Sequence, residues 1–172
     1  DWDGTNFLVV WQDDRGANPD IYGARVSPSG GVLEPNGFAI STATSVQNSP
    51  AVVWDGVNHL VVWQDLRGGP NSDIYAARVT SGAIVLDPTG IPISTAFGNE
   101  MNPSIAFNGT HSLVAWTDQR SGFNIYGSRV TTGGQVLAPS GIPLSTAAGS
   151  QSAPSVSTNG VDFFFVWSDG RN

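Results

Sequence analysis

The chain has 172 residues, a net charge of −7 and no cysteine, and its seven basic residues are all arginine. This length suits a single domain with a sizeable hydrophobic core. The acidic balance excludes nucleic acids as partners because they require a basic surface. The lack of cysteine excludes disulfides and thiolate metal sites.

No apolar run approaches the ~18 residues of a transmembrane helix, so we expect no membrane insertion. The first residues lack an initiator Met and a basic segment, which predicts a mature or excised chain without a visible signal peptide. Low charge, many Ser, Thr, Asn and Gly residues and the absence of Lys favour an exported protein. We expect an extracellular or cell-surface location, with the periplasm as an alternative. Asn108, in the sequon Asn-Gly-Thr, is a candidate glycosylation site.

Four tryptophans mark a repeat that runs through the whole chain. Their spacings are 52, 53 and 51 residues, and other landmarks keep the same phase. "DIYGARV" (20–26) recurs as "DIYAARV" (73–79) and as "NIYGSRV" (124–130). A nearly constant period over whole units indicates a repeat architecture. The four anchors are Trp11, Trp63, Trp116 and Trp167.

The sequence of each repeat predicts four short strands. The second repeat serves as the example, with its strands taken in chain order. "PAVVW" (50–54) is a first strand that ends at an Asp-Gly turn. "HLVVWQD" (59–65) is apolar on both faces, as expected for a strand buried between layers. "DIYAARV" (73–79) alternates with a period of two. A broken outer strand follows within 84–95, and its prolines suit a sheet edge.

Four antiparallel strands in a repeat of this size correspond to a β-propeller blade. The pattern P-x-V, DG, LVVW-x-D-x-R, DIYGARV resembles the TolB/WD40-like β-propeller repeats of bacterial exported repeat proteins, over essentially the whole chain. We predict an all-β fold, a β-propeller-like array of four-stranded antiparallel blades of about 52 residues, in a single repeat domain (1–172). The repeats cover approximately 1–52, 53–105 and 106–156, with a partial repeat at 157–172.

Three complete repeats are fewer than the roughly four to eight blades that close a propeller ring. Residues 1–15 are also in phase with 157–171. Two explanations stay open: a fragment of a longer propeller, or association with other copies of the chain. In the second case the Phe-rich segment 161–167 is the strand that we expect to pair, because uncovered sheet edges favour association. A β-sandwich or another closed monomer is the remaining alternative.

An Asp-x-Arg pair follows each anchor tryptophan. Residues two apart in an extended segment lie on the same side, so the carboxylate and guanidinium of each pair can meet. Because every blade repeats the same groups, we interpret the pairs as structural ion pairs and not as a catalytic site. The pairs are Asp13–Arg15, Asp65–Arg67, Asp118–Arg120 and Asp169–Arg171.

The remaining arginines (Arg25, Arg78 and Arg129) form a second repeat series, so none is left for a unique site. We predict no cofactor. The pairs Asp13 with Asp20 and Asp65 with Asp73 leave a weak case for calcium, which prefers several converging carboxylates. His59 and His111 lie at different phases of the repeat, which gives little support to a histidine-based site. No non-repeated acidic residue stands out, and Glu34 and Glu100 are predicted in loops.

Aromatic residues precede the hairpin turns of three repeats: Trp2, Trp54 and Phe107. They are candidates for stacking on a sugar, and packing between blades is the alternative. The leading functional prediction is a non-enzymatic exported module for assembly or adhesion, with other copies of itself as partners. A carbohydrate-binding propeller that recognises glycans is the first alternative. A fragment of a propeller glycoside hydrolase or lyase is the second.

Overall fold

The computed structural model describes residues 1–171 as an all-β fold of thirteen strands, with no helix in that part of the chain. The strands are β1 Phe7–Asp13, β2 Asp20–Val26, β3 Phe38–Ser41, β4 Gln47–Trp54, β5 His59–Asp65, β6 Asp73–Val79, β7 Ile91–Ser94, β8 Glu100–Phe107, β9 His111–Asp118, β10 Asn124–Thr131, β11 Ile142–Ser145, β12 Gln151–Thr158 and β13 Phe163–Asp169.

The strands form four antiparallel sheets that follow one another along the chain. Blade 1 contains β1–β3, blade 2 contains β4–β7, blade 3 contains β8–β11, and blade 4 contains β12 and β13. The first strand of blade 3, β8, contacts both β4 and β12, so the first strands of successive blades are neighbours. This is the arrangement of a β-propeller, in which the first strands line the axis, and it confirms the predicted fold class.

The first strands begin three residues earlier than the sequence predicts, at Gln47 in blade 2. A register shift before each proline makes room for this extension. The residue that precedes the proline has a positive φ in all three blades: Ser49 (52°), Asn102 (53°) and Ala153 (50°). The outer strand is broken as predicted, since Val85 makes a single bridge to Val79 before β7 begins.

The hydrophobic core lies between the blades. Leu60 and Val62 of blade 2 belong to one cluster with Val114 and Trp116 of blade 3. Leu8 of blade 1 belongs to the equivalent cluster with Trp63 of blade 2. The second strand has apolar residues on both faces because a neighbouring blade packs against each face of its sheet.

The faces at the two ends of the stack are exposed. In blade 4, Phe164 is 56% exposed and Val166 is 68% exposed, although their counterparts Leu60 and Val62 are buried. Phe7 on blade 1 is also exposed. Association through the terminal strands stays a prediction. Residues 1–171 contain no helix long and apolar enough to cross a membrane.

Candidate functional site

Each blade has two ends with different chemistry. In blade 2, β4 begins at Gln47 opposite Asp65, the last residue of β5, and it ends at Trp54 opposite His59. We call the first the upper end and the second the lower end. The upper end carries the Asp-x-Arg pairs, and the lower end carries the Asp-Gly turns.

The Asp-x-Arg pairs join the upper ends of the blades to their own loops. Trp63 Nε1 donates to Asp65 Oδ2 at 2.7 Å, and Arg67 Nη2 donates to the same oxygen at 2.6 Å. The Arg67 guanidinium also lies 4.1 Å from the centre of the Tyr75 ring and donates to Thr89 O. The other carboxylate oxygen of Asp65, Oδ1, accepts a hydrogen bond from the Arg67 backbone N–H, so both oxygens have partners. A carboxylate so engaged holds a loop and is not available to a substrate.

The same bonds recur in the other copies, with Trp-to-Asp distances of 2.9, 3.1 and 3.2 Å for Trp11, Trp116 and Trp167. Arg15, Arg120 and Arg171 each lie 2.6–2.7 Å from their aspartates. Hydrogen bonds from Arg171 hold the pKa of Asp169 at about 2. All four Asp-x-Arg pairs therefore have the same role, which is to hold the loop that follows the second strand.

The boundary between blades 2 and 3 carries a distinct group of residues, which we call the acidic junction: Asp73, Glu100, Asp118 and Arg120. Glu100 is the first residue of β8 and stands opposite Asp118 in register. Its backbone N–H donates to Ser72 O at 2.7 Å, and Ser72 Oγ donates to Glu100 O at 2.9 Å, which places Glu100 beside the start of β6. The prediction of a loop at Glu100 is wrong, because the first strand extends beyond the proline.

Glu100 is fully buried and replaces an amide that the other blades use. Gln47 Nε2 donates to Ser45 O at 2.9 Å, and Gln151 Nε2 donates to Gly149 O at 2.9 Å. Glu100 Oε1 instead accepts from Ser94 Oγ (2.5 Å) and the Ala96 backbone N–H (3.2 Å). Its Oε2 is buried and has no hydrogen-bond partner among residues 1–171.

These surroundings favour the protonated form of Glu100. Burial raises the pKa of Glu100 to about 7, and the negative charges of Asp118 and Asp73 add to the effect. Arg120 Nη2 lies 2.7 Å from Asp118 Oδ2 but 3.7 Å from Glu100 Oε1, so its charge mainly compensates Asp118. Glu100 is therefore a carboxyl group that keeps its proton up to near-neutral pH.

Asp73 is the accessible carboxyl group of the junction. It is half-buried, and its side chain accepts no hydrogen bond within the part of the chain that the structure describes. Burial and the charge of Asp65 raise its pKa. The corresponding sets at the other two boundaries contain fewer carboxyl groups: Asp20, Gln47 and Asp65 between blades 1 and 2, and Asn124, Gln151 and Asp169 between blades 3 and 4.

An exposed aromatic residue accompanies the acidic junction. Phe97 is 84% exposed in the 95–99 loop that leads into Glu100, where the other repeats have Thr44 and Ala148. Phe123 is also exposed and immediately precedes β10 at the upper end. The sequence prediction missed both phenylalanines because it compared aromatic residues only where they repeat.

The predicted sugar-stacking residues lie at the lower end, away from the acidic junction. Trp2 packs against Phe7 with ring centres 4.8 Å apart, and Trp54 packs against His59 at 4.9 Å. Phe107 is the last residue of β8 and is half-buried. Sugar stacking by these three residues stays a prediction.

Asn108 also lies at the lower end. Its Nδ2 donates to Val161 O at 2.7 Å, and its Oδ1 accepts from the backbone N–H groups of the Asn-Gly-Thr turn. The nitrogen to which a glycan would be attached therefore joins blade 3 to blade 4. Glycosylation stays a prediction.

The residues considered for calcium stand opposite each other in register, Asp13 with Asp20 and Asp65 with Asp73. Arginine already binds the first member of each pair. Residues 1–171 contain no group of three or more His, Asp or Glu side chains arranged to hold a metal ion.

Solved structures with the same fold include several sugar-processing enzymes. A thermostable family-43 glycoside hydrolase matches with a TM-score of 0.62 at 13% identity, over 95% of this chain and 62% of its own length. An endo-arabinase from Bacteroides thetaiotaomicron matches with a TM-score of 0.59 at 12% identity, over 97% and 67%. An α-L-arabinofuranosidase from Lactobacillus brevis matches with a TM-score of 0.57 at 12% identity, over 94% and 61%.

At these identities the likeness shows the fold, a β-propeller-like arrangement of blades. This chain spans 62% and 61% of the length of two of these structures. No protein-family model and no curated protein sequence matches it. The finer resemblance to TolB/WD40-like repeats and the exported location stay predictions.

The prediction that the chain is not an enzyme is contradicted by these comparisons, because the three matching structures described above are glycoside hydrolases by their own descriptions. The non-enzymatic assembly or adhesion module is likewise not supported. The repeats are not equivalent at every position. Glu100 and Phe97 depart from the other copies at single phases of the repeat.

Proposed function

We propose that the acidic junction is the reaction site of a β-propeller glycoside hydrolase that acts on arabinose-containing polysaccharides. The observation that best supports this proposal is Glu100, a buried carboxyl group with a pKa of about 7 where other blades carry an amide. The choice of substrate class is supported by the endo-arabinase and the α-L-arabinofuranosidase that share the fold.

Hydrolysis of a glycosidic bond uses two carboxyl groups with different tasks. One donates a proton to the departing sugar oxygen, and this task requires a pKa high enough to keep the proton near neutral pH. Glu100 suits the donor for this reason. The second carboxyl group acts ionised, as a base toward water or as a nucleophile, and the half-buried Asp73 suits that role.

The 95–99 loop controls access to Glu100. Glu100 Oε1 accepts from Ser94 Oγ and the Ala96 N–H, so the carboxyl group reaches a substrate only when the loop moves. The loop is attached at Asn99 through bonds of 2.8 and 2.9 Å to Gln119. Phe97, near its middle, offers an apolar ring to the apolar face of a sugar. We assign Phe97 to sugar contact and loop opening.

The test measures hydrolysis by the 172-residue chain of linear arabinan, followed by reducing ends, and of 4-nitrophenyl arabinofuranoside, followed by nitrophenolate. We expect turnover that falls about 100-fold or more in Glu100→Gln, the usual effect of losing a general acid. Glutamine is the residue at this phase in the other repeats, so the variant is expected to fold.

Asp73→Asn is expected to reduce turnover as strongly, and Asp20→Asn is its matched control. Asp20 occupies the same phase in blade 1, but its junction contains Gln47 in place of Glu100. The proposal fails if the folded chain binds arabinan without turnover, hydrolyses neither substrate, or keeps full turnover in both junction variants.

A further inference from the structure

Three Asn-Gly pairs occur in the chain, and the structure places them in different hydrogen-bonded settings. They are Asn36–Gly37, Asn108–Gly109 and Asn159–Gly160. An asparagine that precedes glycine can lose its side-chain amide when the glycine nitrogen attacks the side-chain carbonyl carbon, because glycine has no Cβ to block the approach. The reaction requires a glycine N–H that is free of other partners and a carbonyl group that is prepared for attack.

Only the pair in blade 3 meets the first requirement within residues 1–171. Gly37 N donates to Glu34 O at 2.9 Å, and Gly160 N donates to Thr158 Oγ1 at 2.9 Å. Gly109 N has no hydrogen-bond acceptor in this part of the chain. Gly109 is also exposed, and no atom beyond its chain neighbours lies closer than 3.7 Å to the place of a Cβ.

The side-chain carbonyl of Asn108 is held in a setting that favours attack. Its Oδ1 accepts from the backbone N–H groups of Thr110 and His111 at 3.1 and 3.0 Å. These donors stabilise the negative charge that develops on Oδ1 when a nucleophile adds to the carbonyl carbon, as in an oxyanion hole. Asn159 Oδ1 has an equivalent pair of backbone donors. The free glycine nitrogen is therefore the feature that distinguishes Asn108 from Asn159.

We propose that Asn108 is a site of spontaneous deamidation and that its conversion weakens the contact between blades 3 and 4. The Gly109 nitrogen forms a bond to Asn108 Cγ, and the side-chain nitrogen leaves as ammonia with the proton from Gly109 N. Water then opens the resulting cyclic imide at either carbonyl carbon, which yields aspartate or isoaspartate. The reaction consumes a water molecule, releases ammonia and needs no oxidant or reductant.

The side-chain nitrogen that leaves is the donor that joins the two blades. Asn108 Nδ2 donates to Val161 O at 2.7 Å, and Val161 lies in the lower-end turn of blade 4. An aspartate keeps the turn of blade 3, since Asp55 occupies the same phase of blade 2 and accepts from the equivalent backbone N–H groups. It offers no donor to Val161 O, so two acceptor oxygens face each other across the boundary. Isoaspartate also lengthens the backbone between β8 and β9 by a carbon atom.

The test incubates the 172-residue chain in mildly alkaline buffer and follows each Asn-Gly pair by peptide mapping with mass spectrometry. We expect Asn108 to deamidate about tenfold faster than Asn36 or Asn159 in the folded chain, because the other two glycine N–H groups must first break a hydrogen bond. In guanidinium chloride the three rates are expected to converge, because the unfolded chain lacks these hydrogen bonds.

Thr158 and Phe107 precede the asparagine in blades 4 and 3 and provide a matched exchange. Thr158→Val removes the hydroxyl acceptor of Gly160 N and is expected to accelerate deamidation of Asn159 toward the rate of Asn108. Phe107→Thr introduces a hydroxyl group in blade 3 and is expected to slow deamidation of Asn108. The Asn-Gly pair of blade 1 is the internal control, because unfolding of a variant would accelerate this pair as well.

The effect on blade 4 is measured with Asn108→Asp, which carries the aspartate product of the reaction. Amide hydrogen exchange of residues 158–162 is expected to be about tenfold faster in this variant than in the wild type. Asn159→Asp is its control and is expected to leave exchange unchanged, because the Asn159 side-chain nitrogen donates to no residue of the described chain. The proposal is overturned if Asn36 or Asn159 deamidates as fast as Asn108 in the folded chain, if Thr158→Val leaves the rate at Asn159 unchanged, or if Asn108→Asp leaves exchange in 158–162 unchanged.

Discussion

Glu100 and Asp118 face each other across the first two strands of blade 3, and Arg120 lies closer to Asp118. The positive charge of the Arg120 guanidinium therefore mainly compensates the Asp118 carboxylate. The second carboxyl group, enclosed in the protein without a partner for Oε2, is favoured in its neutral form. Titration of this group is the property of the junction most directly open to measurement.

We predict that Glu100→Gln removes a pH dependence of stability. The folded-state pKa of about 7 lies above the unfolded value of 4.5, so the folded chain binds the extra proton between these pH values. The free energy of unfolding therefore falls as pH rises from about 4.5 through 7. At pH 8 we expect Glu100→Gln to be more stable than the wild type by about 3 kcal/mol, and at pH 4 by much less. Urea unfolding at both pH values measures the difference.

The reverse exchange supplies the control for this prediction. Gln47→Glu places a carboxyl group in the buried phase of blade 2, beside the ion pair Asp65–Arg67. In a Glu100→Gln background it is expected to introduce a fall in the free energy of unfolding as pH rises above the unfolded carboxyl pKa of about 4.5. Equal pH profiles for the wild type and Glu100→Gln would show that Glu100 titrates at an ordinary pKa.

The repeat made the fold predictable from sequence. Trp63 and Trp116 are buried at the same phase of blades 2 and 3, and one period in the sequence corresponds to one sheet in space. The predicted second and third strands, 59–65 and 73–79, match β5 and β6 residue for residue. The first strand was predicted too short because Pro50 was taken as its beginning, although the bulge at Ser49 lets the strand pass the proline.

The candidate site was not predictable by the same logic, because a repeat argument discounts what differs between copies. Glu100 replaces the glutamine of the other copies, and Phe97 replaces a small residue, each in one copy only. The signal that could have indicated the site is a change of residue type in one copy, at a repeat position that is buried (Glu100) or exposed (Phe97). Burial itself, which raises the pKa of Glu100, was not visible until β8 was known to begin at this residue.

A second prediction concerns the Trp–Asp–Arg cluster. Asp65→Ala leaves the Trp63 indole N–H and the Arg67 guanidinium without their acceptor in a buried position. We expect a loss of about 3–5 kcal/mol in the free energy of unfolding, the usual cost of breaking a buried charged pair. Asp169→Ala, at the exposed edge of blade 4, is expected to cost clearly less. Equal losses in chemical denaturation would contradict the role assigned to burial.

A third prediction concerns the positive φ on the first strand of blade 4. Ala153 holds a φ of 50°, a conformation that costs an alanine roughly 1–2 kcal/mol. Ala153→Gly relieves this strain but loosens the unfolded chain, so we expect a net gain of about 0.5–1 kcal/mol. Ala106→Gly, within the extended β8, is expected to destabilise. Thermal unfolding of both variants checks the opposite signs.

The last prediction separates sugar contact from folding at the acidic junction. Phe97 is the most exposed large apolar side chain of the described residues, so Phe97→Ala is expected to leave the melting temperature unchanged. Its affinity for arabinan, measured by affinity electrophoresis, is expected to fall about tenfold, because a stacked aromatic contact contributes on the order of 1 kcal/mol. Phe164→Ala removes an exposed phenylalanine from the end face of blade 4 and is the matched control. Equal losses of affinity in both variants would show that the sugar contact is not specific to the 95–99 loop.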